Sequence, residues 1–395
     1  MFPKLRFKEF DGDWSAVSLL EISTLITKGT TPKQFIEGNI NFLKIEAINQ
    51  NGFDLSKCQT ISDEINNKEL KRSILMEGDI LFAIAGATIG KNAIVQKELL
   101  PANTNQALAI IRLKENYSKV FISKVLNSPL MEKYIDINIS TGAQPNLNLQ
   151  QIGSFSFALP NLEEQTKIAF FLSAVDEKIR QLKQKHELLS QYKQGMMQKL
   201  FSQQIRFKAD DGSEFEEWAS EKISKVFTNK SKSFNPLLNE SLPCIELEHL
   251  SQNTGQILGI VNSSDQQSTK NLFEPNSVLY GKLRPYLRKF AKPQFKGVCS
   301  SEIWVLTGLK ISNDYLFQFV QSEQFTELTN IQSGSKMPRA DWNVIADAEI
   351  EFPCLGEQTK IANFLSSIDQ KIEVVAQQIE QAKQWKKGLL QQMFI

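Results

Sequence analysis

The decapeptide AIAGATIGKN, Ala83–Asn92, is the stretch whose glycines and lysine come nearest to a phosphate cradle. A nucleotide-binding loop needs glycine, four residues, then glycine-lysine and a serine or threonine, so that backbone N–H groups wrap the phosphates and a hydroxyl holds magnesium. Here Ala85 stands at the first glycine position and Asn92 at the hydroxyl position. The first change removes the backbone conformation and the second removes the metal ligand. A glycine-rich turn between two strands is the better reading.

A second stretch suits contact with nucleic acid. Asn276–Val298, NSVLYGKLRPYLRKFAKPQFKGV, holds Lys282, Arg284, Arg288, Lys289, Lys292 and Lys296, no acidic residue, and interleaved Tyr280, Tyr286, Phe290 and Phe295. Such a patch fits phosphate contacts, and arginines there can make bidentate contacts to guanine. The plainer alternative is a solvated basic loop that packs its aromatics inward. Candidate DNA contacts are therefore Lys282, Arg284, Tyr286, Arg288 and Lys289. Elsewhere the candidates are Lys28, Thr30 and Lys33 in TKGTTPK, Lys91 and Asn92 in the glycine-rich turn, Gln144 and Asn146 in GAQPNLN, and Lys336 and Arg339 in SGSKMPR. The last two stretches serve equally well as plain linkers into a helix.

Nothing assembles a nucleophile, a base and an oxyanion site. There is no GxGxxG and no Asn/Asp-Pro-Pro-aromatic tetrapeptide of the kind that holds a target base; FNPLL, Phe234–Leu238, comes closest. Only two histidines occur, His186 and His249, and the four cysteines, Cys58, Cys244, Cys299 and Cys354, form no CxxC pair. No catalytic residue and no metal site is assigned. The chain reads another molecule rather than transforming it.

Composition sets the frame for these residues. At 395 residues there is length for two or more domains, and 41% hydrophobic with 23% charged residues is the balance of a folded globular chain. The formal charge is only +1, so affinity for DNA must come from local patches. No run approaches the roughly 18 apolar residues of a membrane span, and MFPKLRFKEFDGDW lacks the apolar core of a secretory signal. A cytoplasmic location is expected.

The element that positions everything else occurs twice. Leu159–Phe201 and Phe352–Phe394 align without a gap at an offset of 193, with 21 of 43 positions identical. In the first copy Ile168, Leu172, Val175, Ile179, Leu182, His186, Leu189, Lys193, Met196 and Leu200 alternate spacings of four and three; Ile361, Leu365, Ile368, Ile372, Val375, Ile379, Ala382, Lys386, Leu389 and Met393 repeat the register. A period of 3.5 sustained over four heptads predicts a coiled-coil seam, and the simplest partner for each helix is the other. Lys193 and Lys386 interrupt the stripe at matching depth, a known way to fix register. Asn161 is placed to cap the first helix, with Glu164 three residues on; Cys354 takes that place in the second copy. Some 39 residues make a rod of about 58 Å.

The repeat extends to the segments before the rods. Leu5-Arg6-Phe7-Lys8 with Trp14 is echoed by Ile205-Arg206-Phe207-Lys208 with Trp218. Each start leads into about 140 residues of mixed texture. Strands are expected in Ile80–Gly86, Ala107–Leu113, Ser277–Leu283 and Ser301–Leu309, and short helices over Ser118–Asn127 and Asp314–Glu327. The expected fold is two α/β (α+β) globules alternating with two long helices paired antiparallel. The boundaries fall at 1–158, 159–201, 202–351 and 352–395. Similar rods with divergent globules suit two sites that read different things.

This arrangement, with RFKEFDGDW, GDILFAIAGATIGKNAI, LPNLEEQTKIAFFLSAVDEKI, SVLYGKLRPYLRK and FPCLGEQTKIANFLSSIDQKI, closely resembles the specificity subunit of type I restriction–modification systems over essentially the whole chain. The resemblance implies two target-recognition domains on a split double-stranded DNA sequence, with the paired rods setting the spacer. It also implies two modification subunits that carry S-adenosylmethionine and methylate adenine, and restriction subunits that use ATP and magnesium. No cofactor is then expected in this chain. The rival readings are a stand-alone sequence-specific DNA-binding protein and a coiled-coil scaffold for proteins. The scaffold predicts no salt-dependent DNA affinity, and an NTPase built on Ala83–Asn92 predicts hydrolysis that is lost when Lys91 is changed.

Overall fold

The structure is a computed structural model that describes residues 3–49, 52–139, 145–331 and 337–394. It divides into two compact units, residues 1–183 with 377–395 and residues 184–376. The cuts fall inside the two long helices, Leu162–Phe201 and Leu355–Met393. These helices start three residues later than the repeat suggests, because Leu159 and Phe352 still belong to strands.

In the first unit, strands Ser23–Lys28, Leu108–Leu113, Ile80–Ala83 and Asn92–Ile94 form an antiparallel sheet in that order. Its strands carry buried side chains on both faces, so one apolar cluster lies on each side. The helices Lys119–Leu126 and Pro129–Asn138 flank it; Ser118 caps the first of these through Phe121 N. A smaller sheet lies beside it, in which Ile40–Leu43 is the central strand, antiparallel to Gln59–Ile61 and parallel to Ala102–Thr104.

The second unit repeats the plan. Phe227–Thr228, Ile303–Gly308, Val278–Gly281 and Phe290–Ala291 form the corresponding antiparallel sheet, and a five-stranded sheet replaces the smaller one. The single helix expected over Asp314–Glu327 is two, Asn313–Phe319 and Glu323–Asn330. Ser322 accepts from Phe325 N at 3.2 Å and starts a new helix there, because a serine hydroxyl competes for backbone N–H groups.

Each unit closes on itself through its ends. Strand Ser15–Ser18 pairs with Ser156–Leu159, and Ala219–Lys222 pairs with Glu349–Phe352, so the first strand of each unit is zipped to the strand that feeds a long helix. The helix start is then locked. Buried Glu164 accepts from Arg6 Nε and Nη2, both at 2.7 Å, and from Trp14 Nε1 at 3.3 Å. Buried Glu357 accepts from Arg206 Nε at 3.2 Å and Nη2 at 2.7 Å, and from Trp218 Nε1 at 3.1 Å. The next residue works alike in both: Gln165 and Gln358 donate to Pro160 O and Pro353 O at 2.8 Å, and accept from Ser118 N and Ser312 N. Asn161 caps the first helix through Glu164 N at 2.9 Å.

The helices pair antiparallel within each unit. In the first, Leu389, Leu390, Met393 and Phe394 at the end of one helix share a cluster with Ile168, Leu172 and Val175 at the start of the other. In the second, Met197 and Leu200 meet Ile361, Leu365 and Ile368. Ile179, Leu182, Val375 and Ile379 are buried as expected, whereas Leu189, Ile372 and His186 are half-buried. Met197, rather than Met196, takes the buried seam place. Both seam lysines have found aspartates. Lys193 Nζ lies 2.6 Å from Asp369 Oδ1 and 2.7 Å from Gln321 Oε1, and Lys386 Nζ lies 2.6 Å from Asp176 Oδ1.

Candidate nucleic-acid interface

Each main sheet ends in a hairpin whose tip is stapled to the segment that leads into a long helix. In the first unit Ile80–Ala83 runs out through residues 84–91 and returns as Asn92–Ile94. Leu147 N donates to Ile84 O at 2.9 Å, and Gly86 N donates to Pro145 O at 3.2 Å, with Ala85 opposite Asn146. In the second unit Val278–Gly281 runs out and returns as Phe290–Ala291. Ala340 N donates to Lys282 O at 2.9 Å, and Arg284 N to Pro338 O at 2.7 Å, with Leu283 opposite Arg339. Pro145 and Pro338, like Leu147 and Ala340, stand 193 apart, the offset of the helices. The fold thus joins two candidate segments in each unit through residues more than 50 apart in sequence.

The tip conformations also match. Gly86 and Gly90 sit at φ 78° and 92° in the first unit. Arg284 and Arg288 occupy the same places at φ 51° and 47°, on either side of a 3₁₀ turn, Pro285–Leu287. Left-handed backbone is free for glycine, whereas a residue with a Cβ pays about 1–3 kcal/mol for it. The first tip is therefore a hairpin turn with no helix behind it, which rules out the phosphate-cradle geometry.

The candidate side chains divide sharply. Lys28, Lys33, Arg284 and Tyr286 are exposed, and their side chains form no hydrogen bond or ion pair among the described residues. Lys91 and Lys282 are half-buried, as is Thr30, whose hydroxyl accepts from Arg72 Nη2 at 3.2 Å. Asn146 is exposed at the first staple.

Three candidates turn inward and a fourth is tied to a carboxylate, so the charge of the basic stretch is not all free for a partner. Asn92 is 8% exposed, and its Oδ1 accepts from Ser123 Oγ at 2.8 Å and Asn127 Nδ2 at 3.1 Å. Arg288 donates to Gln321 O and faces Glu323 at 3.8 Å. Lys289 donates to Leu247 O at 2.8 Å. Arg339 is exposed but engaged, donating to both oxygens of Glu302 at 3.0 and 3.2 Å. Lys292 and Lys296, from the same basic stretch, pair with Asp314 and Glu274. Short loops must satisfy their own turns, and most of this charge does so. Gln144 and Lys336 lie outside the described residues.

The sequence reading missed a pocket beside the first staple. It has a volume of about 540 Å³, and Lys28, Gln106, Asn146, Asn148 and Gln150 supply its polar lining over Ile84, Ala85, Leu147 and Leu149. Gln106 and Gln150 carry no motif; the pairing of Ala109 with Lys28 brings the first beside Lys28, and the staple brings the segment of the second. Among the described residues no group of His, Cys, Asp or Glu could hold a metal ion.

Comparison with known proteins agrees with this duplicated plan. The family model for the type I restriction modification DNA specificity domain matches twice, over residues 11–191 and 216–384. The chain is similar to the type I restriction enzyme MjaVIII specificity subunit of Methanocaldococcus jannaschii, 25% identical over 417 residues that cover 97% of this chain and 94% of that one. In fold it is similar to a chain from a type I R-M system complex, with a TM-score of 0.61, 16% identity and 97% of each chain covered. It is also similar in fold to the type I restriction-modification system S subunit of M. genitalium, with a TM-score of 0.59, 14% identity, and 100% and 99% of the two chains covered.

Proposed function

The chain belongs to the type I restriction–modification DNA specificity family, whose members recognise DNA targets and are not catalytic themselves, and from that premise we propose that its two units each read one half of a bipartite double-stranded target. The observation that carries this reading is the pair of matching staples. One backbone device presents two unlike sets of side chains, as two half-sites of different sequence require. Residues 1–158 and 202–351 are the target-recognition domains, and the helices that follow them set the spacing between half-sites.

Lys28, Lys33, Lys91 and Asn146 in the first domain, and Lys282, Arg284 and Tyr286 in the second, are the contact residues. Thr30 supports the first group through Arg72. Phosphate contacts fix register, and the few groups at the hairpin tips reach base edges. The partners are two modification subunits that bring S-adenosylmethionine and methylate adenine, joined by restriction subunits that use ATP and magnesium. No helix among the described residues is long and apolar enough to cross a membrane, and a role on chromosomal DNA places the protein in the cytoplasm.

The test is a genome-wide map of methylated bases in cells that express the chain with its modification subunit. Controls lack the chain or carry residues 202–351 exchanged for those of a relative. The expected result is a split, asymmetric motif with methyladenine on both strands, of which the exchange alters one half. A soluble complex that adds no methylation would instead favour a stand-alone DNA-binding protein or a protein scaffold.

A further inference from the structure

We propose that Arg284 reads a guanine in the half-site of the second unit, and that the strained tip exists to aim it; this rests on the reading of that unit as a DNA-recognition domain. The chain supplies its own comparison. At the two left-handed places of the hairpin tip the first unit uses Gly86 and Gly90, which adopt that backbone freely, whereas the second uses Arg284 and Arg288. Arg284 is doubly disfavoured. It has φ 51° and ψ 61°, and it precedes Pro285, which pushes its neighbour toward extended backbone.

The rest of the loop holds this conformation in place. Arg284 N donates to Pro338 O at 2.7 Å, Leu287 N returns to Arg284 O at 2.9 Å, and Pro285 is buried. Arg288 recovers its cost inside the protein, through Gln321 O and Glu323. Arg284 recovers nothing there. It is exposed, its guanidinium has no partner among the described residues, and the carboxylate of Glu302 near the same staple is already taken by Arg339.

A phosphate contact would not need such a device, since a lysine on a relaxed loop supplies the charge. What an arginine on a braced backbone adds is a planar fork launched outward from a fixed point, the shape that meets the O6 and N7 of guanine together in the major groove. Tyr286, 56% exposed and two residues on, and half-buried Lys282 flank it as phosphate or sugar contacts. Gly86 offers no side chain at the same place, so the first half-site is read by other means.

The test compares methylated-base maps for the wild type, Arg284→Gly and Arg284→Lys in the same cells, together with thermal melting of each purified complex. The wild-type motif is expected to contain a guanine, on either strand, in the half that follows exchange of residues 202–351. Both variants should keep the first half-site and the spacer but relax that one position, with discrimination for guanine falling tenfold or more in Arg284→Gly and by less in Arg284→Lys, whose ammonium still reaches guanine without the planar fork. Arg284→Gly should melt no lower than the wild type, because glycine relieves the backbone.

An unchanged motif, or a fall in methylation that is uniform over all sites, would overturn the assignment; the uniform fall would mark a phosphate contact. A second half-site without guanine would overturn it directly. A wild type that directs no methylation would sink the broader reading first, so the two failures are distinguishable. Should Arg284→Gly prove unstable, the strain argument fails, and Arg284→Lys still decides the base contact.

Discussion

Glu164 and Glu357, at 1% and 0% exposure, each hold an arginine and a tryptophan from the segment that opens their unit. A buried carboxylate is tolerable only with its lone pairs filled, and three donors fill them here. Glu357→Gln leaves the Arg206 guanidinium without its counter-charge and is expected to cost about 2–4 kcal/mol. A thermal melt should show the second unit's transition lowered by several degrees. Changing Arg206→Met as well should recover part of that loss, because an apolar pair replaces an orphaned charge. No loss in the single variant would mean the lock is ornamental. These residues were legible only as a recurrence: Arg6, Trp14 and Glu164 repeat as Arg206, Trp218 and Glu357, but nothing in the spacing says that they touch. The proposed DNA contacts were harder still. Arg284 and Arg288 look alike in sequence, and only the left-handed turn sends one outward and the other to Gln321.

At the scale of the element, the helices were legible and their polar interruption was half legible. A period of 3.5 gave the seam, and Lys193 and Lys386 were visible as breaks in it. Their partners Asp176 and Asp369, also 193 apart, were missed because they lie just off the stripe. Burial lowers the Lys193 pKa while Asp369 opposes that shift. Asp369→Asn should therefore cost the second unit about 1–3 kcal/mol in urea unfolding, since it leaves a buried ammonium unpaired. Lys193→Met should be neutral or stabilising, and a large loss there would refute the view that the pair specifies register rather than adding stability. Asp176 adds a pH signature. Desolvation pushes its carboxyl up, but hydrogen bonds from Lys124 and Lys386 outweigh that and hold it below its ordinary value. Its contribution is then fully present above the ordinary aspartate pKa of about 3.9 and is lost as pH falls through the lower folded value. The stability gap between wild type and Asp176→Asn should be flat from about pH 6 to 8 and close below about pH 4; a gap that widens in acid would reverse this reading.

For the whole molecule, the two compact units meet the chain at places that themselves obey the repeat: the boundaries after Lys183 and after Ala376 stand 193 apart, inside the two long helices. Each lysine–aspartate pair and each staple lies within one unit. A matched change at the two boundaries therefore leaves every such contact intact and alters only the helical connection. One heptad inserted after Lys183 and another after Ala376 keep the seam in phase and add about 10 Å, roughly three base pairs of DNA. The methylated motif is expected to keep both half-site sequences and to gain about three base pairs of spacer. A heptad in one helix alone cannot keep both lysine–aspartate pairs in register, so it should yield little methylation or an unstable chain. If the matched insertion changed the bases read, or left the spacer as it was, the helices would not be the ruler, and the spacing would have to come from the partner subunits.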